Sequence, residues 1–124
     1  MRCEAAIAGF AVLVLSGCGT PVPKIADGQP VSYAAHLEPL VAAHCLGCHE
    51  SEEAKAKLVL DPGLGYEHLV GPRSVQAPEM ALVEPGDPEG SYLWLKLQHV
   101  TDKGKGMPRT LTGSKKLRPA ELEL

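Results

Sequence analysis

The sequence predicts a small all-α domain, and three observations carry that expectation. Residues 31–45 place Tyr33, Leu37, Leu40, Val41 and His44 at a three-and-four spacing, the mark of one helical face. Asp87, Pro88 and Glu89 mark a helix start, with an N-cap, a proline at the first position and an acid in the first turn. Between them stands His44-Cys45-Leu46-Gly47-Cys48-His49, two closely spaced thiols followed at once by a histidine.

That third stretch organises the chain. Cys-x-x-Cys-His is the attachment signature of a c-type haem. Each thiol adds across one vinyl group of the porphyrin, so Cys45 and Cys48 would hold it through two thioethers. The short spacer keeps both sulfurs over one ring edge and brings the next side chain over the iron. His49 is then the proximal ligand through an imidazole nitrogen. Zinc uses the same residue types, but a structural site needs a fourth ligand and usually a second close pair, and none follows. A thioredoxin-like dithiol is the other alternative, and the surroundings lack its βαβ pattern.

Composition agrees with a bound prosthetic group. The 124 residues have room for one small domain, with one Phe, one Trp and three Tyr to build a core. A chain this small usually needs a staple, and one covalent haem would supply a large apolar surface to wrap. Thirteen Gly and eleven Pro imply generous loops, and a net charge of −3 leaves no footprint for nucleic acid.

The first residues stand apart from that domain. After Arg2 and Glu4, Ala5 to Leu15 is an apolar run too short to span a bilayer. It ends in Leu15-Ser16-Gly17-Cys18, which resembles the lipobox of a bacterial lipoprotein signal. The resemblance implies diacylglyceryl transfer to Cys18 and cleavage before it. The expected organisation is a signal peptide over 1–17, a lipidated N-terminus and proline-rich tether over 18–30, and the haem domain over 31–124. All four cysteines are then accounted for: Cys3 leaves with the signal, Cys18 takes lipid, and Cys45 and Cys48 take haem. The two motifs agree, because c-type haem is attached outside the bacterial cytoplasm. Gly19 offers no acidic retention signal, so the resemblance implies a place at the cell envelope, on the periplasmic face of a membrane, with the outer membrane favoured where the cell has one. Pro21, Pro23 and Pro30 stiffen the tether, which at about 3.1 Å per residue reaches roughly 35 Å.

Within the domain, Ser32 is an N-cap candidate, but Pro39 would break a helix begun there, so the regular part is expected from near His36. This helix delivers the haem motif at its C-terminal end, with Gly47 allowing a tight turn between the thiols. Leu58-Val59-Leu60 is read as extended along the haem edge and ends at the turn Asp61-Pro62-Gly63. Tyr66 to Val70 forms a short helix closing at Gly71-Pro72, and Arg73 to Pro78 is loop. The helix from Pro88 to about His99 carries a stripe of Leu93, Leu97 and Val100, flanked by Tyr92 and Trp94. The glycine-rich loop Asp102 to Arg109 then holds a single apolar residue, Met107, followed by Pro108. A neutral thioether suits haem iron and raises its potential, and Pro108 holds Met107 extended, so Met107 is the expected distal ligand. Met80, His36, His44, His68 and His99 are its rivals.

From Tyr33 to Leu124 the chain resembles bacterial monohaem cytochrome c domains of the class I-like type. The resemblance rests on Cys45-Leu46-Gly47-Cys48-His49, on Glu84-Pro85-Gly86-Asp87-Pro88-Glu89 and on Gly106-Met107-Pro108. It implies a helical domain wrapped around covalent haem, His49 and Met107 as axial ligands, and one-electron transfer between redox partner proteins with no substrate transformed. The family closes with a helix that crosses the first and carries an aromatic residue. Residues 120–124 offer barely one turn, so the C-terminal helix is expected to be truncated. The competing classes are a haem enzyme or gas-binding module with an open sixth position, and an anchored haem subunit of a dehydrogenase. Mass spectrometry of the mature protein should find Cys18 acylated and N-terminal, and the wild type should partition with membranes, while Cys18→Ala should remain unprocessed or lose the lipid; an unmodified Cys18 would refute the anchor.

Overall fold

Residues 21–124 are described by the computed structural model; the segment 1–17 and Cys18 lie outside the described residues. Prolines at 21, 23 and 30 remove backbone donors that a helix would need, and residues 21–31 hold only a turn closed by Gln29 N–H on the Ala26 carbonyl.

Ser32 caps the first helical segment. Its Oγ accepts the Ala35 N–H at 3.3 Å, and its own N–H is donated to His36 Nδ1 at 2.9 Å. Tyr33–Leu37 winds as a π-helical turn and passes into α1 (Glu38–His44), where Pro39 sits in the first turn and its missing N–H costs nothing. Leu40 is the buried residue of α1. The chain kinks at Cys45 (φ −123°, ψ −36°) and resumes as α2 (Leu46–His49), one turn carrying Cys48 and His49. Gly47 lies inside that turn with no positive φ, so the thiol spacing is helical and the expected glycine turn is absent.

The next elements are short. α3 (Gly65–Leu69) ends at Val70, followed by Gly71 at φ +99°. Gly65 is required by packing: a Cβ there would lie 2.0 Å from the Tyr33 hydroxyl, whose ring meets Tyr66 edge-on with centroids 5.8 Å apart. Residues 70–91 are stitched by isolated bridges, Val70 with Val83, Arg73 with Ala81, and Ala81 with Ser91. α4 (Tyr92–Gln98) starts later than its signature at Asp87. Asp87 Oδ1 accepts the Gly90 N–H at 2.9 Å and its carbonyl accepts the Ser91 hydroxyl at 2.8 Å, so the cap closes a turn and the helix is entered after it. β1 (Arg109–Thr110) pairs antiparallel with β2 (Gly113–Ser114), Arg109 opposite Ser114, and α5 (Pro119–Leu122) follows.

The all-α expectation, and with it the helical domain of class I-like type, is therefore corrected. Only 34% of the described residues are helical, in five short α-helices, the π-helical turn and one 3-10 turn (Lys55–Lys57), and they share the chain with a two-stranded antiparallel sheet. Thirteen Gly and eleven Pro divide the sequence too often for long helices, so the backbone finds its partners in turns and bridges. Among the described residues no helix is long and apolar enough to cross a membrane.

α5 reaches back to α1 through one carboxylate. Glu121 is buried; it accepts His44 Nε2–H at 3.0 Å, Arg118 Nη2–H at 2.7 Å and the Arg118 backbone N–H at 2.8 Å. The Arg118 guanidinium foremost, then its backbone N–H and His44, hold the carboxyl at about 2 against the opposing effect of burial. A carboxyl depressed in the folded state contributes stability above its unfolded value of 4.5, and that contribution is lost as pH falls toward 2. Arg118 is half exposed and its share is screened. Glu121→Gln should therefore lower stability at pH 7 by about 1–2 kcal/mol and flatten the loss of stability between pH 5 and pH 2. Chemical denaturation across that range checks it; an unchanged acid slope would assign the linkage elsewhere.

Candidate functional site

α2, the extended segment 58–60, the loop after Pro72, α4 and the Met107 loop enclose an open cleft of about 970 Å³. Cys45, Cys48, His49 and Met107 all line it. The sequence places the first three together by spacing alone; the fold brings Met107 to the same space.

His49 is 8% exposed, and its Nδ1 lies 3.2 Å from the Leu58 carbonyl. A carbonyl only accepts, so Nδ1 carries the proton and Nε2 keeps its lone pair for a Lewis acid. The Leu60 N–H donates to the His49 carbonyl at 2.6 Å, so residues 58–60 lie extended against α2 as the sequence suggests. Cys45 and Cys48 are both free thiols, and they differ. Burial first, then the charge of Cys48, pushes the Cys45 thiol up to about 11, whereas Cys48 is exposed.

Met107 is held by its backbone at the end of α4. Its N–H donates to the Lys96 carbonyl at 3.0 Å and its carbonyl accepts His99 Nε2–H at 2.9 Å. His99 adopts a left-handed conformation (φ +60°) to end the helix. Gly106 permits the contact: a Cβ there would stand 2.4 Å from the His99 ring. The loop before Met107 is tied as well. Tyr92 donates its hydroxyl proton to the Lys103 carbonyl at 2.6 Å, and Lys96 Nζ donates to the Lys105 carbonyl at 3.0 Å. Burial, with the charge of Arg109 adding to it, lowers the Lys96 pKa, and burial raises that of Tyr92.

The rivals to Met107 separate by position. Met80, His36 and His99 do not line the cleft. His44 lines it, but its Nε2 is taken by Glu121. His68 lines it with Nδ1 bonded to the Val59 carbonyl at 2.8 Å, which leaves Nε2 open. Trp94 lines a separate groove beside Val83 and Pro85. Sequence reasoning missed the place of Lys96. The signal was present, because Lys96 lies between Leu93 and Leu97, on the stripe read as apolar.

The donor set fits a haem. Two thiols, an imidazole and a thioether share one cleft, whose volume is in the range of cofactor pockets, about 300–1,000 Å³. Leu82, Leu93, Leu97 and Pro108 add apolar wall. Among the described residues no group of three or more His, Cys, Asp or Glu converges as a metal held by protein donors alone requires. Comparison with protein-family models, with curated proteins and with solved structures found no match for this chain.

The unequal thiols predict an order of reaction in the haem-free protein. At pH 8 only about a thousandth of Cys45 is thiolate, so iodoacetamide should modify Cys48 first. Peptide mapping after short exposure checks this; equal rates at the two positions would show that Cys45 is not shielded.

Proposed function

We propose that this chain is an electron-transfer protein carrying one covalent haem c, attached at Cys45 and Cys48, with His49 as proximal and Met107 as distal ligand to iron. The observation that carries the reading is the convergence of these four side chains on one cleft. Bound there, haem supplies a one-electron ferrous–ferric couple.

The chain's own residues account for the rest. Cys45 and Cys48 supply sulfur for two thioethers. His49 offers Nε2 in an orientation fixed by its Nδ1–H bond to Leu58. Met107 offers a neutral thioether, which favours the reduced state and raises the potential. Leu82, Leu93 and Leu97 offer apolar wall for the porphyrin to cover. Met107 is gripped at both backbone groups, which favours a closed sixth position over the open one that a peroxide-reacting or gas-binding module needs. An anchored haem subunit of a dehydrogenase would use the same site, and co-purification distinguishes it. Redox partner proteins exchange the electron. Lipid on Cys18 would hold the domain at the envelope, with residues 19–30 as the spacer.

The mature protein should carry one haem that resists acid-acetone extraction, and Cys45→Ala or Cys48→Ala should lose part or all of that resistance. Met107→Ala should abolish the weak far-red sulfur-to-iron band of the ferric protein and lower its potential. If both alanine variants keep their haem fully bound to acid-acetone, the attachment is wrong; an unchanged spectrum in Met107→Ala moves the ligand to His68.

A further inference from the structure

We infer that Lys96 is the carboxylate-binding residue of the cleft, its buried ammonium pairing with a propionate of the haem; this rests on the haem reading above. α4 turns Tyr92, Leu93, Lys96 and Leu97 toward the cleft, at the one-and-four spacing of a single helical face. Three of the four are apolar or aromatic, and the fourth is a lysine only 4% exposed. Lysine is rarely buried without a partner of opposite charge, because removing an ammonium from water is costly.

Here no such partner comes from the protein. Of its three N–H donors, Nζ spends one on the Lys105 carbonyl at 3.0 Å, and it stands 5.1 Å from the centroid of the Tyr92 ring. Among the described residues no carboxylate lies within ion-pair distance of it. The other cations lining the cleft, Lys55, Lys57, Arg73 and Arg109, are exposed, and solvated charges at a rim bind little. Arg73 also donates to the Glu79 carbonyl and Arg109 to Ser114 Oγ. Lys96 is thus the one buried cation of the cleft, with donors to spare. An anionic group entering with the occupant would complete it, and haem brings two carboxylates. The same residue accepts the Met107 N–H through its carbonyl. One helical turn would therefore bind the porphyrin edge with a side chain and the distal loop with a backbone group.

The test separates the carboxylate from the rest of the porphyrin. The full chain carrying C45A and C48A is titrated in dilute detergent with ferric haem and with its dimethyl ester. With Lys96 present the diacid should bind tenfold or more tighter than the diester. K96M should abolish that preference while keeping the affinity for the ester, and K96R should retain the preference. A preference that survives K96M, or an equal loss for both porphyrins, overturns the inference. Should the C45A/C48A chain hold neither porphyrin, the covalently loaded K96M protein decides. Its ferric state should gain at least tenfold over wild type, about 59 mV in a one-electron potential, with K96R close to wild type. Equal potentials in wild type and K96M overturn the inference. A wild-type chain that matures without haem refutes both this inference and the reading beneath it, whereas a haem-bearing chain indifferent to Lys96 refutes this one alone.

Discussion

Six hydrophobic side chains, Leu40, Leu60, Leu69, Ala77, Ala81 and Tyr92, are buried among the described residues, and two of them are alanines. A buried leucine contributes about 1.5–3 kcal/mol, so three leucines and a tyrosine are a thin core for a chain of this length. The place where more core would lie is the cleft. Leu82, Leu93 and Leu97 line it half-buried, and an apolar occupant would cover them. The short helices follow from the same shortage. None has an apolar face long enough to be held by packing, so they are tied into the chain by turns, bridges and single polar contacts, and among the described α-helices only α5 carries a side-chain cap.

Main-chain carbonyls supply much of that fixing around the cleft. Leu58 and Val59 are consecutive, and in an extended segment their carbonyls point to opposite sides. One receives His49 and the other His68. A single extended stretch thus sets the tautomer of both histidines. On the far side, the carbonyls of Lys103 and Lys105 receive Tyr92 and Lys96, while that of Met107 receives His99. The loop is therefore fastened at alternating residues by side chains of α4 and its cap. Its glycines serve close approach, as Gly106 does against His99.

What could be read from the sequence divides along physical lines. That Cys45, Cys48 and His49 lie together was legible because two residues of spacing fix it locally, and Met107 stood out as a lone apolar residue before proline in a solvated loop, though its place in the same cleft depends on the fold. The extended course of residues 58–60, the cap at Ser32 and the short helix ending before Gly71 were also legible, since each depends on near neighbours. Fold class was misread for the opposite reason. Asp87-Pro88-Glu89 has the chemistry of a helix start, yet Gly90 lets the Asp87 carboxylate close a turn first. The two-residue strands at 109–110 and 113–114 are too short to show any alternation. The place of Lys96 on an apolar stripe hints at its burial but not at what its ammonium meets, and His68 could not be separated from the other histidines because a distant carbonyl sets its free nitrogen.

His49 and Met107, the two residues proposed as ligands, are held by independent parts of the fold. His49 hangs on α2 and is locked by the 58–60 segment, while Met107 is locked by the end of α4. Neither depends on the other for its position. A site that binds a gas or a peroxide needs a sixth ligand that is absent or leaves readily. Under the proposed reading, a thioether whose residue is anchored at N–H and carbonyl alike would be poorly suited to leaving and well suited to staying in place. Under that reading little would have to rearrange when an electron arrived or departed. The Lys96 carbonyl accepts the Met107 N–H, so the buried ammonium and a backbone anchor of the Met107 loop belong to one residue of α4.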